Sequence, residues 1–246
     1  MRIFLSIVFI TISLFSKEIT IQSEDNFTLH GWLEYPSTKS ETYPIAMFAH
    51  QFGSDHTIWN DLAKDLRAKG YITLNVDLRG HGKSIIQNNK ENKIINDTSM
   101  DHIGEAIKLS RKKVKFENIP SDLILWLDQI SENEDIDMER LVLFGSSLGG
   151  GAILPLAIDY EPKAIIAISP GGGDSEAIKD SISVANSAIL FIAGKNDPLK
   201  AQVRAKLYTD QAMRGTNLTI SSSGHGTVLL PFVKDYINLF LEKNNK

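Results

Sequence analysis

Short apolar runs alternating with helical patterns predict an α/β fold for this chain: a mostly parallel, doubly wound sheet with helices on both faces. Three observations carry that expectation. Residues 44–49 are almost wholly apolar, as a strand covered on both faces is, 71–76 reads as the next buried strand, and the amphipathic stretch 59–69 lies between them. Strand, helix, strand over that length is a βαβ unit, which pairs its strands in parallel. Further strand candidates at 141–144, 164–169, 188–193 and 218–221 are spaced by helical patterns, as repetition of that unit requires. At 246 residues, 42% of them hydrophobic, the chain is long enough for one such domain, and no linker or internal repeat interrupts 17–246.

Taken in order, the chain begins with Met1-Arg2, an apolar run from Ile3 broken only by Ser6, Thr11 and Ser13, and then Ser16 before the polar Lys17-Glu18. A charged start, a short apolar stretch and a small residue predict a secretory signal spanning 1–16, cleaved after Ser16. The expected product is exported, periplasmic or secreted, with no stable membrane span after cleavage. Residues 17–22 and 27–35 alternate as the strands of a hairpin around Glu24-Asp25-Asn26. The strand at 44–49 then ends in His50-Gln51-Phe52-Gly53, and Leu62, Ala63 and Leu66 give the following helix its apolar face, with Gly70 as its stop.

Asp77-Leu78-Arg79-Gly80-His81-Gly82-Lys83-Ser84 follows the strand at 71–76 and contains a decoy. Gly82-Lys83-Ser84 looks like the end of a phosphate-binding loop, but position 77 is Asp where that loop needs Gly, so the stretch is expected to be a structural turn. Residues 85–118 are polar and lysine-rich, with a helical patch at 101–115, and are expected to form a cap or lid over the domain. Lys108, Arg111, Lys112, Lys113 and Lys115 are its expected solvated side. Helices are predicted at 121–130, capped by Ser121, at 152–158, at 201–213 and at 228–242.

A formal charge of −4 shows no basic excess, so nucleic acid is not an expected partner. With no cysteine in the chain, disulfides, thiolate catalysis and cysteine metal sites are excluded. No cluster of metal ligands appears in the sequence, and neither a metal nor a cofactor is expected.

Leu141-Val142-Leu143-Phe144 enters Gly145-Ser146-Ser147-Leu148-Gly149 and leaves through Gly150-Gly151-Ala152. The pentapeptide alone also fits a plain βα turn, but strand, sharp turn and helix are the context of a nucleophile elbow with Ser147 at its tip. A serine nucleophile needs a base to take its proton and a third group to hold that base in one tautomer. In the hydrolase arrangement these follow in the order serine, acid, histidine, from loops at the carboxyl edge of the sheet. His225, in Ser223-Gly224-His225-Gly226, is the one histidine of six after Ser147. Asp197, in Gly194-Lys195-Asn196-Asp197-Pro198, is the expected acid, and Asp174 is its rival. The oxyanion hole is expected from the backbone N–H groups of Leu148 and Phe52. His50 and His81, from earlier loops, are expected to be structural.

These five segments resemble, in order, the oxyanion loop, sheet-edge turn, elbow, acid and base of the α/β-hydrolase superfamily, and the resemblance covers nearly all of 17–246. Within the superfamily the chain is similar to the dienelactone-hydrolase-like and serine-esterase branch, with serine where dienelactone hydrolases proper use cysteine. Gln51 stands where many relatives have Gly and is expected to narrow the pocket beside the hole. The resemblance implies an α/β-hydrolase fold and a serine carboxylesterase acting on small esters through an acyl-enzyme on Ser147. An exported peptidase or amidase using the same triad, and so an amide substrate, is the alternative.

Overall fold

The computed structural model describes residues 17–95, 103–172 and 175–245. The signal expected at 1–16 and the rival acid Asp174 lie outside the described residues. Two antiparallel strands, β1 (Lys17–Gln22) and β2 (Phe27–Glu34), open the domain, and β2 buries every second residue as a strand with one covered face does. Next come β3 (Tyr43–Ala49), a short 3-10 turn at His56–Trp59, α1 (Asn60–Ala68) and β4 (Ile72–Val76). Between 85 and 118 lie the two-residue strands β5 (Ile86–Gln87) and β6 (Lys90–Glu91) and the helix α2 (Ile103–Val114). Residues 86–91 therefore extend the sheet, with β5 pairing β2. The side chains of Lys108, Arg111, Lys112, Lys113 and Lys115 are exposed.

The second half contains α3 (Ile119–Ser131), β7 (Ile136–Ser146), α4 (Leu148–Ala152), α5 (Leu156–Asp159), β8 (Ala164–Ile168), α6 (Glu176–Val184), β9 (Ala188–Gly194), α7 (Ala201–Gln211), β10 (Gly215–Ile220) and α8 (Leu230–Asn244). Two helix expectations need correction. Ser121 does not cap α3, because Pro120 sits in the first turn, where a missing N–H breaks no helical bond, and the helix starts at Ile119. The helix expected at 152–158 is divided into α4 and α5, with Pro155 as the cap of the second piece.

Strand order is β10-β9-β8-β7-β3-β4-β2-β5-β6, with β1 on β2. From β4 to β10 every neighbouring pair is parallel. Alternation along these strands feeds two cores. Leu141 and Leu143 of β7 face Leu123, Trp126, Ile182 and Ala205 of α3, α6 and α7, while Val142 and Phe144 face Leu62 and Leu66 of α1 and Val233 and Ile237 of α8. Both faces of the sheet's centre are thus covered, which is why β3, β8 and β9 are almost wholly apolar.

The turn after β4 is held by buried polar groups. Asp77 accepts His56 N–H and Nδ1 at 2.9 and 2.8 Å and Lys83 N–H at 2.7 Å, and these outweigh the burial that pushes its carboxyl up, leaving it below the ordinary carboxylate range. Arg79, 1% exposed, is forked onto Asp122 at 2.6 and 2.7 Å and onto Asp25 at 3.0 and 3.1 Å. Asp55, His56 and Asp77 are the one group among the described residues with three metal-type ligand atoms close together, and Asp77 there already accepts from N–H donors.

Candidate active site

Ser147 caps α4 at the end of β7 with φ 47° and ψ −108°, a region that L-residues rarely occupy and that costs about 1–3 kcal/mol. The surrounding main chain imposes it. Ser147 N–H donates to Ile168 C=O at 2.9 Å, and its own C=O accepts Gly171 N–H at 2.7 Å and Gly151 N–H at 3.0 Å. Gly149 N–H donates to His50 C=O at 3.1 Å, and a methyl group on Gly149 would overlap the Ala49 carbonyl. The elbow is therefore packed, backbone on backbone, against the end of β3.

The three side chains expected to meet do meet. Ser147 Oγ lies 2.8 Å from His225 Nε2, and His225 Nδ1 lies 2.8 Å from Asp197 Oδ2. The Asp197 carboxylate is acceptor-only when ionised, so it places the histidine proton on Nδ1 and leaves Nε2 to receive the serine hydroxyl. Its side chain is fully buried, and burial pushes its carboxyl up. The His225 contact, the Leu199 N–H at 2.8 Å and the Ser169 hydroxyl at 3.0 Å outweigh that and hold it below the ordinary range.

Leu148 N–H is the first of α4, and Phe52 N–H lies in the turn after β3; neither has a protein acceptor among the described residues. Phe52 is fixed by edge contacts with Phe116 and His81, at 6.1 and 5.6 Å between ring centres. His81 is buried neutral, burial and the neighbouring His50 pushing it down to about 3. His50 is also pushed down by burial; it accepts Leu78 N–H at Nε2, 3.0 Å away, and donates from Nδ1 to Gln51 C=O at 2.8 Å. Both histidines occupy structural positions.

Ser169 left no usable signal in the sequence, and Gln51 holds a different place from the one expected of it. Ser169, just past β8 with φ 47°, donates its hydroxyl to Asp197 and accepts Gly226 N–H at 3.0 Å, so it ties the acid to the histidine loop. Gln51 does not line the cavity beside Leu148; its amide oxygen turns instead to Ser146 and Thr227. That cavity, about 300 Å³, is walled by Leu148, Ala152, Ile178 and, from the 85–118 region, by Arg111 and Phe116.

Residues 12–180 match the family model of acetyl xylan esterase, AXE1. Among solved structures, the chain is similar to Est1E of Butyrivibrio proteoclasticus with ferulic acid bound (TM-score 0.70, 16% identity, 92% of this chain and 98% of that one). It is similar to an acetyl xylan esterase from Paenibacillus sp. R4 (TM-score 0.69, 16% identity, 92% and 83%). It is also similar to a putative dienelactone hydrolase of Klebsiella pneumoniae (TM-score 0.66, 19% identity, 91% and 90%). At these identities the likeness is one of fold, the α/β-hydrolase fold. An uncharacterized protein of Mycobacterium tuberculosis strain H37Rv is 23% identical over 154 residues, 63% of this chain, and the match spans 45% of that relative's length.

Proposed function

The chain belongs to the acetyl xylan esterase family, and from that premise we propose that it is a serine carboxylesterase cleaving small esters, acetyl esters foremost. The observation that carries the reading is the unbroken hydrogen-bonded line from Ser147 Oγ through His225 to Asp197, with both contacts at 2.8 Å. Ser147 Oγ attacks the ester carbonyl carbon while His225 Nε2 takes its proton. The carbonyl oxygen becomes an oxyanion held by the N–H groups of Leu148 and Phe52, each worth about 2.7–4 kcal/mol to the transition state. Collapse breaks the ester bond, and the alcohol leaves with the proton from His225. Water then attacks the acyl-enzyme, gives its proton to His225, and releases the acid as Ser147 regains its hydrogen. Asp197 stays ionised throughout, stabilising the imidazolium and its tautomer.

The cavity beside Leu148 is where we place the substrate's small group, with α2 and Phe116 as its outer wall. Export by residues 1–16 is part of the same proposal, supported by their charged, apolar and small-residue pattern. N-terminal sequencing of protein recovered outside the cytoplasm should start at Lys17.

The test is labelling by a fluorophosphonate together with a panel of acetyl, longer-acyl and aminoacyl-amide substrates. Ser147→Ala should lose labelling and lower ester turnover by about 10⁶-fold while keeping the wild-type melting transition. Turnover unchanged in that variant, or amides cleaved faster than esters, overturns the reading.

A further inference from the structure

Three loops from distant parts of the chain meet on one side-chain oxygen. Gln51 Oε1 accepts the Ser146 hydroxyl at 2.8 Å and the main-chain N–H of Thr227 at 3.1 Å. A main-chain N–H can only donate, so the amide has one orientation, its oxygen facing the elbow and the histidine loop. The main chain of Gln51 is held as well, its carbonyl accepting His50 Nδ1 at 2.8 Å and Ser54 N–H at 3.2 Å. Gly226 has φ 69°, and a methyl group there would overlap Gln51 Oε1, so the histidine loop approaches the amide as only glycine allows. Ser146 precedes the nucleophile, Thr227 follows the base by two residues, and Phe52 is the next residue after Gln51 itself.

We propose that Gln51 is a positioning residue that holds the Phe52 N–H in register with Ser147 and His225, so that one amide sets oxyanion donor, nucleophile and base together. This rests on the reading of Ser147 as the nucleophile. Gln51 touches no reacting atom. Its loss should displace groups whose alignment matters in the transition state and leave ground-state binding of a small ester nearly unchanged.

Gln51→Met keeps the length of the side chain and removes the acceptor. It should lower kcat for a short acetyl ester about 10- to 100-fold, with KM within about threefold of wild type. Ser146→Ala removes one of the two donors and should lose less. The double variant should fall no further than Gln51→Met alone, because both changes remove the same hydrogen bond. The rate at which a fluorophosphonate labels Ser147 should fall in step with kcat, and that arm needs no ester. A kcat and labelling rate within about twofold of wild type in Gln51→Met, or losses that multiply in the double variant, overturn the positioning role. Should Gln51→Met fail to fold, the labelling rate of Ser146→Ala decides, a clear fall supporting the role and an unchanged rate overturning it. Wild-type protein that is labelled but cleaves no ester defeats the esterase reading alone, and wild-type protein that is not labelled defeats both.

Discussion

The elbow and the stretch from α2 to Phe116 wall the same cavity, and they are held by different physics. Around Ser147 the chain is fixed by main-chain contacts: Gly149 N–H on His50 C=O, Gly171 and Gly151 N–H on Ser147 C=O, and no room for a methyl group at Gly149. Across the cavity, α2 is held mainly by Ala106, Ser110 and Val114 while its basic face is exposed. A methyl group added at Gly104 of α2 would meet nothing within 4 Å. The side that carries Ser147 tolerates no displacement, whereas the opposite wall can change at little cost to the fold.

Four measurements would break or sharpen that contrast. Asp197→Asn should lower kcat about 10⁴-fold with little loss of stability, because an amide cannot enforce the His225 tautomer; a loss below about tenfold would show the line of bonds to be structural only. Gly149→Ala should destabilise by about 3 kcal/mol or fail to fold, since the group it meets is backbone and cannot move aside, and denaturant unfolding reads this directly. His81, which lies between the two regions against Phe52 and Phe116, should make stability fall on acidification. Its folded value of about 3 lies below the ordinary 6.5, so the unfolded chain takes up the proton first. Its contribution is complete above 6.5 and is lost between there and 3, at about 1.4 kcal/mol per pH unit. His81→Gln should flatten that slope between pH 7 and 5 by about 2 kcal/mol, and an unchanged slope would refute the assignment. The smallest effect is Gly104→Ala, which should leave activity unchanged and stabilise α2 by about 0.5 kcal/mol, as read from the melting transition.

The centre of the parallel sheet was legible in the chain because a strand buried on both faces is apolar at almost every position, and β3, β8 and β9 are so. Ser147 and Asp197 were legible because each sits in a glycine- or proline-marked turn after an apolar run, and His225 because it is the one histidine after Ser147, in a glycine-flanked loop. The break between α4 and α5 was missed although Pro155 marks it, because the apolar spacing around 152–158 reads as one continuous face. Residues 86–91 gave no strand signal, since strands of two residues leave no period to detect.

By itself, then, the sequence determined the order of the main elements and the three side chains that meet in one hydrogen-bonded line, Ser147, His225 and Asp197, because periodicity and turn chemistry are properties of neighbouring residues. Only the tertiary structure decided that Ser169 braces Asp197 across 28 residues, that Gly226 rests on Ser169 across 57, and that Gln51 reaches Ser146 across 95. Those contacts depend on β8 lying between β7 and β9, with β3 on the other side of β7. Such adjacency comes from how the sheet is wound, and a hydrogen bond between residues that far apart imprints no pattern on the stretch of chain around either one.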